Sequence, residues 1–467
     1  MKLGLFHPRE IPMDNGLMEA PEIRLAELLI ALSHALDMTE GQPQGHSVRC
    51  CWIGLLIAEQ FGLNDLQTSE LCYTILLKDL GCSSNAARIC QLYLADDLTF
   101  KKDYKLVNGS LPQALRFVLS HTGLKSGLAE RFRAIINIFQ NGGEISKELI
   151  ETRCQRGADI ARKMRFSENV CAGIANLDEH WDGGGMPLGI AGTSIPWNSQ
   201  IALMAQVIDV FQKAEGEDAA RKEIGNRIGT WFDPALAAAF QRAAERPSFW
   251  DSINEPDLPE IVFALIPQND AVTIDEDYLD DISQGFAEVV DTKSSYTRGH
   301  SERVALYTDL IAEEMGFTQN HRRWLRRAAL LHDIGKLGVS NMVLDKPGKL
   351  DAEEMEHVRE HASNTELILS RIAAFAKLAP IAAAHHERLD GSGYPKRLIG
   401  DQIAVESRIL AVADIFDALT AERPYRAAWP IPKALAVMEP DVGRAIDAQC
   451  FAALKRALKR VESSLAA

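Results

Sequence analysis

Long apolar runs, paired cysteines and an excess of basic residues are all missing from this sequence. Of its 467 residues 8 are cysteines, and none forms a Cys-X-X-Cys pair, so we expect reduced thiols rather than a disulfide framework. No apolar run approaches the ~20 residues of a membrane-spanning helix, and we predict no membrane insertion. The net charge of −15 argues against a nucleic-acid polymer as partner.

The first residues of the chain do not resemble a secretory signal. Residues 1–10 contain no long apolar core, which such a signal requires. Together with the irregularly spaced cysteines, this predicts a cytoplasmic protein. The chain is also too long for one ordinary core, which predicts two or more domains.

The apolar residues follow helical rather than alternating spacing along nearly the whole chain, which predicts an all-α fold. Apolar stripes with this spacing cover residues 25–36, 51–61, 69–79 and 149–164. Turn signals of the kind that join helices lie at Gly45, Gly62, Gly81 and 141–143.

The sequence contains an internal repeat. A Gly-His-Ser-X-Arg sequence occurs at 45–49 and again at 299–303, and an amphipathic helix pattern follows each time. Two further pairs of segments align, 76–81 with 330–335 and 182–187 with 390–395. We therefore predict two tandem helical domains, the first of which carries extra residues near 96–141.

Two adjacent histidines, His385 and His386, follow an apolar run at 381–384. Imidazoles at the end of a buried helix need a partner, and either a metal cluster or hydrogen bonds at the surface would provide one. The sequence Leu-Leu-His-Asp-Ile-Gly-Lys at 330–336 is a second apolar helix pattern that ends in ligand-type residues. This repetition favours a metal centre.

Together these stretches resemble the HD-GYP family of cyclic-dinucleotide phosphodiesterases. His332 and Asp333 match the HD pair, and Gly393, Tyr394 and Pro395 match the GYP signature. The resemblance implies helical domains of the HD type and a centre of two divalent metals, iron or manganese, and mixed imidazole and carboxylate ligands suit such ions. The ligands that it implies are His300, His332, Asp333, His361, His385, His386 and Asp414.

Two carboxylates have particular roles in this set. The resemblance makes Asp333 a catalytic residue that bridges the two metals. Asp414 lies in a segment, 407–419, that is apolar on nearly every face and is therefore predicted to be buried. A buried carboxylate without compensation costs several kcal/mol, and metal coordination would remove that cost.

Further residues are expected to act on the substrate or to support the ligands. Lys336 lies four residues after His332, on the same face if the helix continues, and would contact a phosphate oxygen or the leaving group. Arg423 and Arg426 match positions that hold substrate phosphates, for which the arginine fork is suited. Asp417 is expected to orient a ligand or a lysine from behind the centre.

The first copy keeps only two of the corresponding ligand-type residues, His46 and Asp79. The other five positions carry Lys78, Arg153, Leu177, Asp178 and Gln206. Two cationic side chains there would repel a divalent metal, so we predict a degenerate, non-catalytic domain that serves in regulation or dimerisation. The predicted boundaries are 1–250 for this domain, 251–276 for a linker and 277–467 for the catalytic domain.

The resemblance implies hydrolysis of a 3′–5′ phosphodiester in a bacterial cyclic dinucleotide to the linear dinucleotide, with GMP as a further product left open. Cyclic di-GMP is the first expectation, and 3′,3′-cyclic GMP-AMP is the alternative because tandem proteins with a degenerate first copy resemble its phosphodiesterases. Two other classes stay open, a mononucleotide phosphohydrolase and a non-catalytic dinucleotide-binding or scaffold protein. Besides the substrate, the partners to consider are a second copy in a homodimer and a diguanylate cyclase.

The number of metals can also be predicted. Family members with three metals carry a glutamate four residues before the first ligand histidine, and here that position is Tyr296. A phenol with a pKa of ~10 is a poor substitute for a carboxylate at neutral pH. We therefore expect two metals.

Overall fold

A computed structural model describes residues 24–107, 111–267, 274–294, 296–422 and 427–466. These residues form 22 α-helices and several short 3₁₀ turns, and they contain no β-strand. The predicted all-α fold is confirmed. In the same residues no helix is long and apolar enough to cross a membrane.

The helices fall into two groups joined by one short helix. The first copy contains α1 (Leu25–Thr39), α2 (His46–Phe61), α3 (Asp65–Leu77), α4 (Ala86–Tyr93), α5 (Asp97–Tyr104), α6 (Leu111–His121), α7 (Leu128–Lys163), α8 (Glu168–Ala175), α9 (Trp197–Glu215), α10 (Glu217–Asn226), α11 (Pro234–Ala244) and α12 (Pro247–Asp251). The joining helix is α13 (Leu258–Leu265). The second copy contains α14 (Glu276–Asp291), α15 (His300–Glu314), α16 (Gln319–Leu331), α17 (Asn341–Leu344), α18 (Ala352–Ser370), α19 (Ala379–Ala383), α20 (Val405–Thr420), α21 (Ile431–Met438) and α22 (Ala448–Ala466).

The two copies repeat the same local structure at the Gly-His-Ser-X-Arg sequence. The glycine precedes α2 or α15 with a positive φ, 82° in the first copy and 67° in the second, a conformation that glycine adopts without strain. The serine hydroxyl then donates to a buried aspartate at the end of the preceding helix, Ser47 to Asp37 and Ser301 to Asp291, both at 2.7 Å. The predicted tandem repeat is thus present in three dimensions.

Residues 141–143, predicted as a turn, lie inside α7 instead. A glycine in a helix interior costs about 1 kcal/mol relative to alanine. The buried side chains of Ile138 and Ile145 flank the two glycines and hold α7 against the apolar residues beneath it. Tertiary packing on both sides of the glycine pair therefore outweighs the local turn signal.

The apolar cores of the two copies are continuous. Helix α1 of the first copy packs against α18 of the second, and α7 packs against α14. The segment 251–276, predicted as a linker, contains α13, which packs against α1 and α2. The boundaries drawn from the sequence remain a prediction.

The chain changes direction immediately after the HD pair. Helix α16 ends before the pair, and a 3₁₀ turn, Ile334–Gly338, follows, so the helix does not continue to Lys336. A Cβ atom at Gly335 would lie 2.0 Å from the backbone oxygen of His361 in α18. The Gly335 N–H also donates to the Thr365 hydroxyl at 3.1 Å. Glycine therefore lets the HD segment lie directly on the helix that carries the next predicted ligand.

Replacing Gly335 with alanine should lower the free energy of unfolding by about 1–3 kcal/mol, because the new methyl group would push two backbone segments apart. Gly348→Ala is the matched control, since no atom lies within 4 Å of a Cβ at that position. Urea denaturation followed by circular dichroism measures both. Equal midpoints for the two variants would show that the close approach at Gly335 does not constrain the fold.

Candidate metal centre

The seven predicted metal ligands come from five parts of the chain and lie together in the second copy. They occupy the start of α15 (His300), the residues after α16 (His332 and Asp333), α18 (His361), the turn after α19 (His385 and His386) and α20 (Asp414). No single segment contains more than two of them. The fold must therefore assemble the centre from distant parts of the chain.

The carboxylate of Asp333 lies between two pairs of histidines. Its Oδ2 atom is 3.4 Å from His300 Nε2 and 3.3 Å from His332 Nε2. Its Oδ1 atom is 3.5 Å from His361 Nε2 and 3.7 Å from His385 Nε2. Each oxygen thus faces a different pair, which is the arrangement that a bridging carboxylate needs.

The two remaining predicted ligands, Asp414 and His386, each join one of these histidine pairs. Asp414 Oδ1 lies 3.4 Å from His300 Nε2 and 3.9 Å from His332 Nε2. On the other side, ring nitrogens of His386, His361 and His385 lie within 4.8 Å of one another. The centre therefore has two neighbouring groups of donors that share Asp333.

Three of the histidines are fixed in the tautomer that metal binding requires. In His332, His361 and His385, Nδ1 donates to the backbone carbonyl three residues earlier, at 2.6, 2.5 and 2.6 Å. Because a carbonyl only accepts, the hydrogen is on Nδ1, and the lone pair of Nε2 faces the centre. Such hydrogen bonds from the distal ring nitrogen are the usual way of orienting a metal-binding histidine.

His300 is oriented by a carboxylate. Its Nδ1 donates to Asp417 Oδ2 at 2.7 Å, and Arg303 Nε donates to Asp417 Oδ1 at 2.6 Å. Asp417 thus occupies the position behind the centre that was predicted for it. Arg303 was missed, although it is the arginine of the repeated Gly-His-Ser-X-Arg sequence. The first copy repeats the contact, since Arg49 Nε donates to Asp209 at 2.6 Å, and the shared arginine was the available signal.

The donors fit divalent metal ions. His332 Nε2 and Asp333 Oδ1 are buried and have no hydrogen-bond partner among the described residues, and such orphaned atoms are costly. Burial lowers the pKa of His361 to about 3 and that of His386 to about 4, so both imidazoles are neutral and free to coordinate. For His300 burial acts in the same direction, but hydrogen bonds to Asp333 and Asp417 raise its pKa to about 9. In the metal-free protein a charged His300 therefore compensates part of the carboxylate charge.

Lys336 and the GYP signature lie at the edge of this centre. Lys336 Nζ is 2.5 Å from Asp333 Oδ2, and its side chain is 20% exposed. The ring of Tyr394 lies against His386 with 4.7 Å between ring centroids. A Cβ at Gly393 would lie 2.5 Å from the backbone oxygen of His386, so this turn also depends on glycine. Arg423 and Arg426, the predicted phosphate contacts, lie outside the described residues.

In the first copy the corresponding positions are occupied by ion pairs. Lys78 pairs with Asp79, and Arg153 pairs with Asp178. His46 repeats the hydrogen bond that its counterpart His300 makes with Asp417. Its Nδ1 lies 2.7 Å from Asp209 Oδ2. The cations that the sequence places here are therefore bonded to the carboxylates that a metal would need.

A comparison with models of protein families gives a match in both copies. A family model described as the HD domain matches residues 124–236 and 285–450. The chain belongs to the HD-domain family. The two matched segments fall in the two copies, and the second spans all seven predicted ligands of this HD protein.

Similar proteins narrow the relationship. The chain is 54% identical over 434 residues to the 3′3′-cGAMP-specific phosphodiesterase 3 of Vibrio cholerae, covering 93% of this chain and 94% of that protein. A crystal structure of a cyclic GMP-AMP-specific phosphodiesterase of V. cholerae matches with a TM-score of 0.65 and 48% identity, over 94% of this chain and 98% of that one. The cyclic di-GMP phosphodiesterase response regulator RpfG of Xanthomonas campestris is 40% identical over 38% of this chain and 47% of its own length. The predicted kinship with the HD-GYP phosphodiesterases is confirmed.

Replacing Asp333 with alanine should remove most of the bound metal, because both groups of donors lose the carboxylate that they share. We expect metal affinity to fall by about 100-fold or more, beyond the 10–100-fold typical of changes behind a metal site. Elemental analysis of purified protein measures this, with circular dichroism to verify folding. His357→Ala, an exposed change in α18, is the control. Wild-type metal content in folded Asp333→Ala protein would contradict the assignment.

Proposed function

We propose that this chain is a metal-dependent phosphodiesterase that opens the ring of a cyclic dinucleotide, with 3′,3′-cyclic GMP-AMP as its preferred substrate. The buried Asp333 carboxylate, with one oxygen toward each of two histidine pairs, carries the proposal. A pair of metal sites that share a ligand is suited to in-line displacement at a phosphate.

The choice of substrate rests on the extent of the similarity. The relative named for 3′,3′-cGAMP matches almost the whole chain, including the degenerate first copy. The relative RpfG, named for cyclic di-GMP, matches only 38% of the chain. This supports the alternative substrate over the cyclic di-GMP that was first expected, and cyclic di-GMP becomes the second candidate.

The proposed cofactor is a pair of divalent metal ions, iron or manganese. Four donors on each side, counting Asp333 on both, would hold them. Tyr296, at the position where a third metal would need a carboxylate, is 38% exposed. Its backbone N–H is bonded to Ser294 Oγ at 3.2 Å. Elemental analysis of fully loaded protein should therefore give two metals per chain.

The residues around the centre would have different roles in hydrolysis. When bound, the two ions supply Lewis acidity to phosphate oxygens and to a water molecule. The histidines hold their lone pairs toward the centre. Lys336, at the edge and beside Asp333, can donate to a phosphate oxygen or to the leaving oxygen of the ribose. Arg423 and Arg426 are proposed to hold the substrate phosphates.

A panel of cyclic dinucleotides tests the substrate. Wild-type protein loaded with metal under anaerobic conditions should hydrolyse 3′,3′-cyclic GMP-AMP with a kcat/KM at least ~10-fold above that for cyclic di-GMP, a difference of about 1.4 kcal/mol. Chromatography separates linear dinucleotide from mononucleotide products. His332→Ala protein is the negative control. Binding without turnover would favour the non-catalytic dinucleotide-binding protein, and faster hydrolysis of cyclic di-GMP would reverse the order of the two substrates.

The role of the first copy is a separate proposal, and a buried contact supports it. Asp97 of α5 accepts the N–H of Asn341 at 2.8 Å and lies 3.7 Å from Lys293 Nζ. Lys293 Nζ in turn donates to the carbonyl of Leu337 at 3.0 Å. Leu337 directly follows Lys336, so a carboxylate of the first copy holds the segment that carries the proposed catalytic lysine.

Buried charges connect this contact to the degenerate centre. Lys101 Nζ lies 3.8 Å from Asp97 Oδ2 and 3.7 Å from Glu40 Oε1. Glu40 also pairs with Lys105 at 2.9 Å, and Lys105 lies 3.4 Å from Gln206 Oε1. A chain of buried contacts thus runs from Gln206, one of the substituted ligand positions, to the contact with the second copy. We infer that the first copy positions the catalytic segment rather than acting on substrate.

Asp97→Asn keeps the shape of the side chain and removes its charge. We expect kcat to fall about 10- to 100-fold, since small displacements of a catalytic group cost that much, while KM stays near its wild-type value. Asp103→Asn, on the same helix but with a side chain 38% exposed, is the control. Both are assayed at a temperature where circular dichroism shows folded protein. An unchanged kcat in folded Asp97→Asn protein would contradict the proposal that the first copy positions the catalytic segment. The homodimer and the diguanylate cyclase partner stay predictions.

A further inference from the structure

An open cavity of about 340 Å³ lies beside the candidate metal centre. Tyr394 lines this cavity and also packs its ring against His386, so the cavity is one aromatic ring away from the proposed ligands. Its volume lies at the low end of small-molecule sites. It suits one base of a dinucleotide and is too small for the whole molecule. Its lining includes the side chains of Glu356, Arg359, Glu360, Tyr394 and Arg397.

Arg397 enters this cavity from a strained backbone. Its φ is +55°, in the left-handed region where a residue with a Cβ costs roughly 1 kcal/mol more than glycine. The first copy has Gly189 at the aligned position, with a φ of +67°. In both copies a glutamate, Glu179 or Glu387, accepts backbone N–H groups on either side of this residue. Glycine can therefore form this turn, as it does in the first copy, and the backbone does not require arginine.

The Arg397 side chain does not stabilise the fold through polar contacts. Among the residues that the structure describes, its guanidinium has no hydrogen-bond or ion-pair partner. The carboxylate of Glu360, which also lines the cavity, likewise has no such partner among these residues. Arg359, in contrast, is 3.5 Å from Glu356 and lies over the Tyr394 ring at 5.6 Å. A donor and an acceptor are thus left free to bind a ligand.

The degenerate copy lacks these features. At the positions that align with Arg359, Tyr394 and Arg397 it carries Glu151, Met186 and Gly189. Both cations and the aromatic ring are therefore found only in the copy that has the candidate metal centre. This distribution ties the cavity to the chemistry of the second copy rather than to the shared fold.

We propose that this cavity binds the guanine base of the substrate, an inference that rests on the proposed function. Guanine presents O6 and N7 as paired acceptors, which the fork of Arg397 matches, as in the most common arginine–base contact. Its N1–H and N2–H groups are donors, which Glu360 can accept. The Tyr394 ring forms the wall of the cavity nearest the proposed ligands. Adenine has a donor at N6, which would face the donors of Arg397. It has an acceptor at N1, which would face the carboxylate of Glu360.

Arg397→Gly tests the proposal, because it removes the guanidinium and also relieves the backbone. We expect the KM for 3′,3′-cyclic GMP-AMP to rise at least ~10-fold with little change in kcat, while the melting temperature rises. Arg397→Lys keeps the charge and the strain but loses the fork, so its KM should be intermediate and its melting temperature unchanged. A melting temperature that rises with an unchanged KM would overturn the proposal.

Binding of mononucleotides by calorimetry gives a readout that does not depend on hydrolysis. Metal-loaded wild-type protein should bind GMP more tightly than AMP, and Arg397→Gly and Glu360→Gln should each reduce this preference at least ~5-fold. If the wild type hydrolyses no cyclic dinucleotide but shows this preference, the proposed function fails and the guanine site stands. If it hydrolyses cyclic GMP-AMP but binds GMP and AMP equally, only the guanine site fails.

Discussion

The buried carboxylate of Asp333 is the group on which the rest of the second copy depends. A carboxylate in a protein interior is costly unless nearby positive charge or hydrogen bonds compensate it. Here burial alone would raise its pKa, but His332 and Lys336 hold the pKa well below the ordinary range, so the group is charged. Five helical segments bring their donors to its two oxygens, and divalent cations would balance the charge.

The surrounding structure serves to keep those donors in place. Backbone carbonyls orient three histidines, and the Asp417–Arg303 pair orients a fourth. Gly335 allows the HD segment to touch α18. None of these contacts is a metal ligand, yet each determines where a lone pair points. The precision of the centre is therefore a property of its supporting contacts.

The first copy shows that this framework does not require the metal chemistry. It retains the His46–Asp209–Arg49 arrangement and the serine–aspartate bond at the start of the repeat. At the centre, however, lysine and arginine neutralise the carboxylates. The same charge problem thus has two solutions in one chain. The solution in the first copy is permanent, because covalently attached cations cannot dissociate, and this suits a structural partner.

The sequence by itself determined the helical class, the repeat and the identity of the candidate ligands, because helical periodicity and short motifs are local properties of the chain. Tertiary structure decided which histidines face each oxygen of Asp333, that Arg303 supports Asp417, and that Asp97 reaches the segment after Lys336. These contacts join residues far apart in the chain, and no local pattern encodes their partners. The glycine pair at 142 and 143 shows the same limit. Its preference for a turn amounts to about 1 kcal/mol per residue, and the packing of Ile138 and Ile145 overrides it.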